Sequence, residues 1–165
     1  MYKEPMRILA INPGSRYIGI AVFRGADLLD WDVKVTGGKT PAQRRMACHR
    51  IMAEYFEMYQ PNILAIKQLH PSRSSRSLDQ LVEHIEDIAR QHRVKIRRYS
   101  IKELEALLCP RSKISKFTLA SIVANRYPAL LYDLQQESRN QNPYRIRMFE
   151  AVALASACWH EIENK

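Results

Sequence analysis

Residues 7–23, RILAINPGSRYIGIAVF, decide the fold. The stretch opens with a nearly continuous apolar run over residues 7–11, which stops at the turn-forming segment Asn12-Pro13-Gly14-Ser15. Residues 17–23 resume the apolar pattern, and after a second turn residues 28–35 alternate apolar and polar side chains. This pattern predicts three consecutive strands joined by short turns, which is typical of an antiparallel meander.

Further along the chain, the pattern switches between helical and strand spacing. Apolar residues at steps of three and four predict helices, and two short apolar runs predict further strands. The helices are expected over 46–56, 78–89, 119–123 and 144–162, and the strands over 63–66 and 94–99. This order predicts an α/β fold, a mixed five-stranded sheet with helices on both faces.

The length of 165 residues predicts one domain spanning 1–165. Residues 137–143 are polar and rich in Asn and Gln, and they are expected to form a mobile loop. The three cysteines are widely spaced and odd in number, so neither a disulfide framework nor a CxxC metal site is expected. No apolar run approaches the roughly 20 residues of a membrane span, so we expect a cytoplasmic protein without membrane contact.

The charge balance favours a polyanionic partner. Lys and Arg number 26 against 17 Asp and Glu, which leaves a formal charge of +9. Nine of the basic residues fall between residues 90 and 116, where only two acidic residues oppose them. Nucleic acid, as branched or duplex DNA, is therefore the expected partner.

Three segments together resemble the RuvC-like Holliday junction resolvases of the ribonuclease H-like superfamily. Asn12-Pro13-Gly14-Ser15 is similar to the Asp-Pro-Gly-Ser of that family. Residues 64–69, LAIKQL, resemble its apolar run ending in a catalytic Glu, and residues 149–155, FEAVALA, resemble its last-helix segment. The resemblance extends from residue 7 to about residue 160, and it implies a ribonuclease H-like fold and a homodimer acting on two-fold symmetric junctions.

The same resemblance implies a two-metal nuclease site that this sequence does not supply. The family needs four carboxylates to hold two divalent ions. The matched positions here are Asn12, Lys67, Arg147 and Glu150, whose formal charges sum to +1 instead of about −4. We therefore expect no bound metal and no cofactor; Mg²⁺ or Mn²⁺ would be needed only by an active nuclease with rearranged ligands.

Each of these four residues also has a simpler interpretation. Asn12 could open an ordinary type I turn before Pro13. Lys67 could be a solvated charge at a strand end. Arg147 and Glu150 are three residues apart on one helix, so they could form a surface ion pair worth roughly 0.2–0.5 kcal/mol.

Candidate nucleic-acid-binding residues lie in two basic stretches. The first follows the Lys67 strand, where the resemblance places an aromatic wedge at the position of His70; this Ser- and Arg-rich run could equally be a flexible loop. Together the stretches supply His70, Arg73, Arg76, Arg97, Arg98, Arg111, Lys113 and Lys116. The other histidines, His49, His84, His92 and His160, are predicted to be packing or surface residues because they lack metal-ligand spacing.

Three functions remain open from the sequence. The leading hypothesis is an inactive or strongly impaired resolvase relative that binds branched or duplex nucleic acid through a basic surface. The second is an active metal-dependent, structure-specific endonuclease with rearranged ligands, for example one metal held by Glu150 and substrate oxygens. The third is a protein-interaction scaffold that has lost its chemistry.

Overall fold

The computed structural model describes residues 4–108, 116–139 and 145–164, with the backbone alone at 116–118 and 138–139. Five strands form one mixed sheet in the order β3-β2-β1-β4-β5. Strands β1, β2 and β3 pair antiparallel, whereas β4 pairs parallel with β1 and with β5. The strands are β1 (Arg7–Asn12), β2 (Tyr17–Arg24), β3 (Asp27–Val35), β4 (Ile63–Lys67) and β5 (Lys95–Tyr99).

The helices of the described segments cover both faces of this sheet, which confirms the predicted fold class. They are α1 (Pro41–Tyr59), α2 (Arg76–Gln91), α3 (Ile101–Leu108), α4 (Lys116–Arg126), α5 (Leu131–Arg139) and α6 (Ile146–Glu163), with short 3₁₀ turns at Pro71–Arg73 and Pro128–Leu130.

The sheet separates two hydrophobic cores because alternate side chains of each strand point to opposite faces. On β1, Ile8 and Ala10 pack in the core with α3, α4 and α6, whereas Leu9 and Ile11 pack in the core with α1 and α2. Asn12 is two residues beyond Ala10, so its side chain points to the face covered by α6.

Helix α6 is the central helix of the molecule, with every residue from Met148 to Cys158 buried. Small side chains allow it to lie close against the sheet. At Gly19 of β2, an added Cβ would overlap the carbonyl group of Arg147, so only glycine lets strand and helix approach this closely.

The loop expected over 137–143 is wrong in its first part. Helix α5 continues to Arg139, and Glu137 is buried, with its carboxylate accepting a hydrogen bond from the backbone N–H of Arg145. Polar composition suggested a loop, but this tertiary contact keeps residues 137–139 helical. Residues 140–143 lie outside the described residues. No helix in the described segments is long and apolar enough to cross a membrane.

Candidate functional site at the ends of strands β1 and β4

Two of the matched positions end neighbouring parallel strands. The register pairs Ile11 of β1 with Ile66 of β4, so the next residues, Asn12 and Lys67, stand side by side at one edge of the sheet. Carboxyl ends of parallel strands are where α/β proteins commonly place their sites. Helix α6 crosses this edge and brings Glu150 against both side chains.

Glu150 is the centre of a buried polar cluster. Its Oε2 atom accepts a hydrogen bond from Nδ2 of Asn12 at 2.6 Å and another from Nζ of Lys67 at 2.8 Å. Asn12 also donates to the main-chain carbonyl of Arg147 at 3.2 Å. Asn12 and Glu150 are only 2% and 3% exposed, and the Lys67 side chain is 20% exposed. Asn12, Lys67 and Glu150 thus join β1, β4 and α6; we call them the Glu150 cluster.

The Glu150 cluster does not fit a divalent-metal centre. The single carboxylate has one oxygen already engaged by an ammonium and an amide, and Asn12 offers its donor side to that oxygen. An ion placed about 4 Å from the Lys67 charge would meet a repulsion of about 8 kcal/mol at an effective dielectric of 20. Within the described parts of the chain, no group of three or more His, Cys, Asp or Glu is placed to hold a metal.

The ion pair expected between Arg147 and Glu150 is wrong, because Glu150 pairs with Lys67 instead. The Arg147 side chain points the other way, against the 13–16 turn, where its guanidinium occupies the space that a side chain on Gly14 would need. In the described segments, this guanidinium has neither a carboxylate nor a carbonyl partner at hydrogen-bond distance. Lys67 and Glu150 neutralise each other, so Arg147 carries the positive charge left at the four matched positions.

A cleft of about 840 Å³ opens from the Glu150 cluster toward the solvent. Its walls come from the segment after β4 and from the start of α3. Among its lining residues, Lys67, Arg73 and Lys102 are cationic, whereas Glu103, Glu105 and Glu150 are anionic. The described lining is therefore charge-balanced, which differs from the basic surface that the composition suggested.

The wall after β4 contains two of the predicted nucleic-acid-binding residues. His70 is exposed, and its Nδ1 accepts the N–H of Ser72 at 3.1 Å, which fixes the ring at the start of the 3₁₀ turn. Arg73 is exposed at the end of this turn and lines the same cleft. Arg76 lines a separate depression of about 560 Å³ together with Asp79 and Glu83, so it is not part of this cleft.

Arg97 and Arg98 do not form one surface. They are neighbours on strand β5 and point to opposite faces of the sheet. Arg97 pairs with Glu161 at 3.3 Å, and Arg98 pairs with Glu86 at 2.5 Å. Arg98 donates hydrogen bonds to the Glu86 carboxylate, which raise the pKa of Arg98, so its positive charge is paired within the protein. Arg111 and Lys113 lie outside the described residues, and Lys116 is described only as the first residue of α4.

No sequence motif pointed to the α3 wall of the cleft. Ser100 caps the start of α3, accepting the N–H of Glu103 at 3.2 Å, and this places Lys102 in the first turn beside the cleft. The spacing Ser100-x-x-Glu103 predicts such a helix start. It gives no signal that this helix faces Lys67.

Comparisons with known proteins identify the architecture. Thermus thermophilus RuvC superposes with a TM-score of 0.73 and 17% identity, both alone and in complex with a Holliday junction substrate. The match covers 96% of this chain and 96–97% of those chains. The yeast mitochondrial Holliday junction resolvase Ydc2 superposes with a TM-score of 0.68 and 11% identity, over 96% of this chain and 80% of the other.

In sequence, the chain is 32% identical over 73 residues to the crossover junction endodeoxyribonuclease RuvC of Thermomicrobium roseum. That match spans 42% of this chain and 45% of the relative, which is under half of either protein. No family model matches the chain. These likenesses confirm the resemblance to the RuvC-like resolvases and the ribonuclease H-like fold.

Proposed function

We propose that this RuvC-like chain binds branched or duplex DNA and does not cleave it by two-metal hydrolysis. The observation that carries the proposal is the Glu150 cluster, in which Lys67 and Asn12 both donate to the only carboxylate at the matched positions. A two-metal mechanism needs several oxygen ligands to activate water and stabilise the leaving oxygen. Here Oε2 of Glu150 already accepts a hydrogen bond from the Lys67 ammonium group.

DNA binding is supported by basic side chains beside the 13–16 turn and along the cleft. Arg147 is half-buried beside Gly14 with its charge uncompensated in the described structure, and His70 and Arg73 are exposed in the segment that lines the cleft. A guanidinium binds phosphate through paired, charge-assisted hydrogen bonds. We expect Arg147 to contact a phosphate of the DNA backbone. Lys67 stays paired with Glu150 and does not contact the phosphate.

The direct experiment measures binding and cleavage of a four-way DNA junction by the same preparation. With Mg²⁺ or Mn²⁺ we expect retained binding and no nicked product. Affinity should fall steeply with salt, with a logarithmic slope of about −0.9 for each phosphate neutralised. The resemblance to the junction resolvases implies a homodimer, so we expect two chains bound to each junction.

Arg147→Ala tests the assigned phosphate contact. We expect about tenfold weaker binding and a salt slope shallower by about one unit, because one phosphate contact is lost. Arg24→Ala is the matched control, since Arg24 is an exposed arginine that pairs with Arg7 at the opposite end of β1 and β2. This variant should bind within twofold of the unchanged protein.

Two results would overturn the proposal. Metal-dependent cleavage that disappears in Glu150→Gln would establish a nuclease with rearranged ligands. If the chain binds neither the junction nor the duplex in a salt-dependent way, the protein-interaction scaffold would be favoured.

A further inference from the structure

A pair of histidines lies on the seam between α1 and α2, on the sheet face opposite the Glu150 cluster. Nδ1 of His49 and Nε2 of His84 are 3.2 Å apart, and the ring centroids are 5.2 Å apart. The two residues are 35 positions apart in the chain, so no motif spacing announces the pair.

The seam on both sides of the pair holds it in place. One turn before each histidine, Arg45 donates to the side chain of Gln80 at 3.1 Å. Further along, the rings of Phe56 and His92 stack with centroids 5.0 Å apart. The two helices therefore run side by side in a fixed register, and buried residues such as Cys48 and Ile85 anchor them in the core.

The separation of the two ring nitrogens matches that of a metal-bound pair. Zn–N bonds of about 2.0–2.1 Å at a tetrahedral angle place two imidazole nitrogens about 3.3 Å apart. In the structure these two nitrogens are at hydrogen-bond distance, 3.2 Å, so they already lie close to this separation, and a bound ion would replace the hydrogen bond.

The surroundings of His84 disfavour its protonated form. Burial lowers the pKa of His84 most, and His49 adds to the effect, against the opposite influence of Asp87 and with a further lowering by Arg45. Metals bind the neutral form of imidazole.

We propose that His49 and His84 form a binding site for a divalent transition-metal ion of the class that prefers imidazole, with Zn²⁺ as the representative ion. The site has two protein ligands, since no described group of three His, Cys, Asp or Glu is placed around an ion, and water fills the other positions. The ion would tie α1 to α2. It would take no part in chemistry at the Glu150 cluster, on the other face of the sheet.

The experiment titrates the full chain with ZnCl₂ at pH 7.5 by calorimetry and follows the melting temperature in parallel. We expect saturable binding and a rise in Tm, because an ion bound only to the folded state stabilises it. His49→Gln and His84→Gln should each lose at least tenfold in affinity and most of the Tm rise.

His160→Gln is the control, because His160 lies on α6 beside Arg126 and away from the seam. It should bind Zn²⁺ like the unchanged chain. Circular dichroism should show each variant folded before titration. The proposal is overturned if the full chain shows no saturable binding, if both seam variants bind as tightly as the unchanged chain, or if only the His160 variant loses affinity.

Discussion

At the scale of single residues, Lys67 and Glu150 hold the candidate site together. The two charges meet at 2.8 Å, with Glu150 almost fully buried and Lys67 partly open to solvent. Such a pair stabilises little relative to an apolar replacement, but removing one partner leaves a buried charge uncompensated. The amide of Asn12 supplies a second donor, so the remaining carboxylate would not be wholly unpartnered.

Lys67→Met should lower the free energy of unfolding by about 3 kcal/mol, because it leaves the buried Glu150 charge uncompensated. We choose the lower end of the range for broken buried pairs because water can reach Glu150 through the cleft. Urea unfolding measures this as a lower midpoint with an unchanged slope. The double variant Lys67→Met, Glu150→Gln removes both charges and keeps an acceptor for Asn12. It should return to within about 1 kcal/mol of the unchanged chain. A double variant no more stable than Lys67→Met alone would show that Lys67 does not compensate Glu150.

Cys48 should be inert in the folded chain. Burial raises the pKa of its thiol to about 12, so at pH 8 the reactive thiolate is almost absent. Iodoacetamide at pH 8 should leave Cys48 unmodified in the native protein and modify it fully in urea, as read by peptide mass spectrometry. Burial also raises the pKa of Cys158, which serves as an internal comparison. Rapid native labelling of Cys48 would contradict the packing of α1 on the sheet.

Residue identities in the site were predictable, but their partners were not. The motif match located Asn12, Lys67, Arg147 and Glu150 in sequence, and the structure brings the first two and Glu150 into contact. The choice of Lys67 as the partner of Glu150 depends on the β1–β4 register and on the position of α6. Neither is encoded by spacing along one helix, which instead suggested the Arg147–Glu150 pair.

At the scale of elements, the contact of β2 with α6 positions the site. Gly19 pairs with Asn12 across β1 and β2 and faces the main chain at Arg147. Because Gly19 has no side chain, α6 can lie close enough to the strands for Glu150 to reach Asn12. Strand β2 lies between β1 and β3, so it cannot move away to make room.

Gly19→Ala should destabilise the fold by about 1–3 kcal/mol, the usual cost of overpacking a buried contact. It should also weaken junction binding, because α6 and with it Arg147 must shift. Chemical denaturation and a binding titration measure the two effects. Gly37→Ala is the control: its new Cβ meets no atom within 4 Å, and the only cost is its positive φ of 65°, about 1 kcal/mol. Equal stability of Gly19→Ala and the unchanged chain would contradict this close packing.

Local sequence pattern predicted the strands better than the helices. Short apolar runs and the alternating segment 28–35 predicted all five strands, since each strand buries side chains in one or both cores. Helix α5 was not predicted at all. Its polar end contacts the chain through Glu137, which accepts a hydrogen bond from the backbone of Arg145, and no local pattern reveals this contact.

At the scale of the whole molecule, net charge and the charge of the candidate cleft differ. The chain carries a formal +9, yet the described lining of the cleft balances cations and anions. Arg97 and Arg98 are held by Glu161 and Glu86. Composition could predict a polyanionic partner, but it could not show which arginines are already paired, because pairing is decided by the fold.

The proposed function depends on Asn12 and Lys67 holding Glu150 where the resolvases would hold metal ions. The most direct measurement is an anomalous difference map from a crystal of the full chain soaked in MnCl₂. We expect no manganese peak at the Glu150 cluster, with Nζ of Lys67 still at hydrogen-bond distance from Glu150. A manganese ion at coordination distance from the Glu150 carboxylate, with Lys67 displaced, would contradict it.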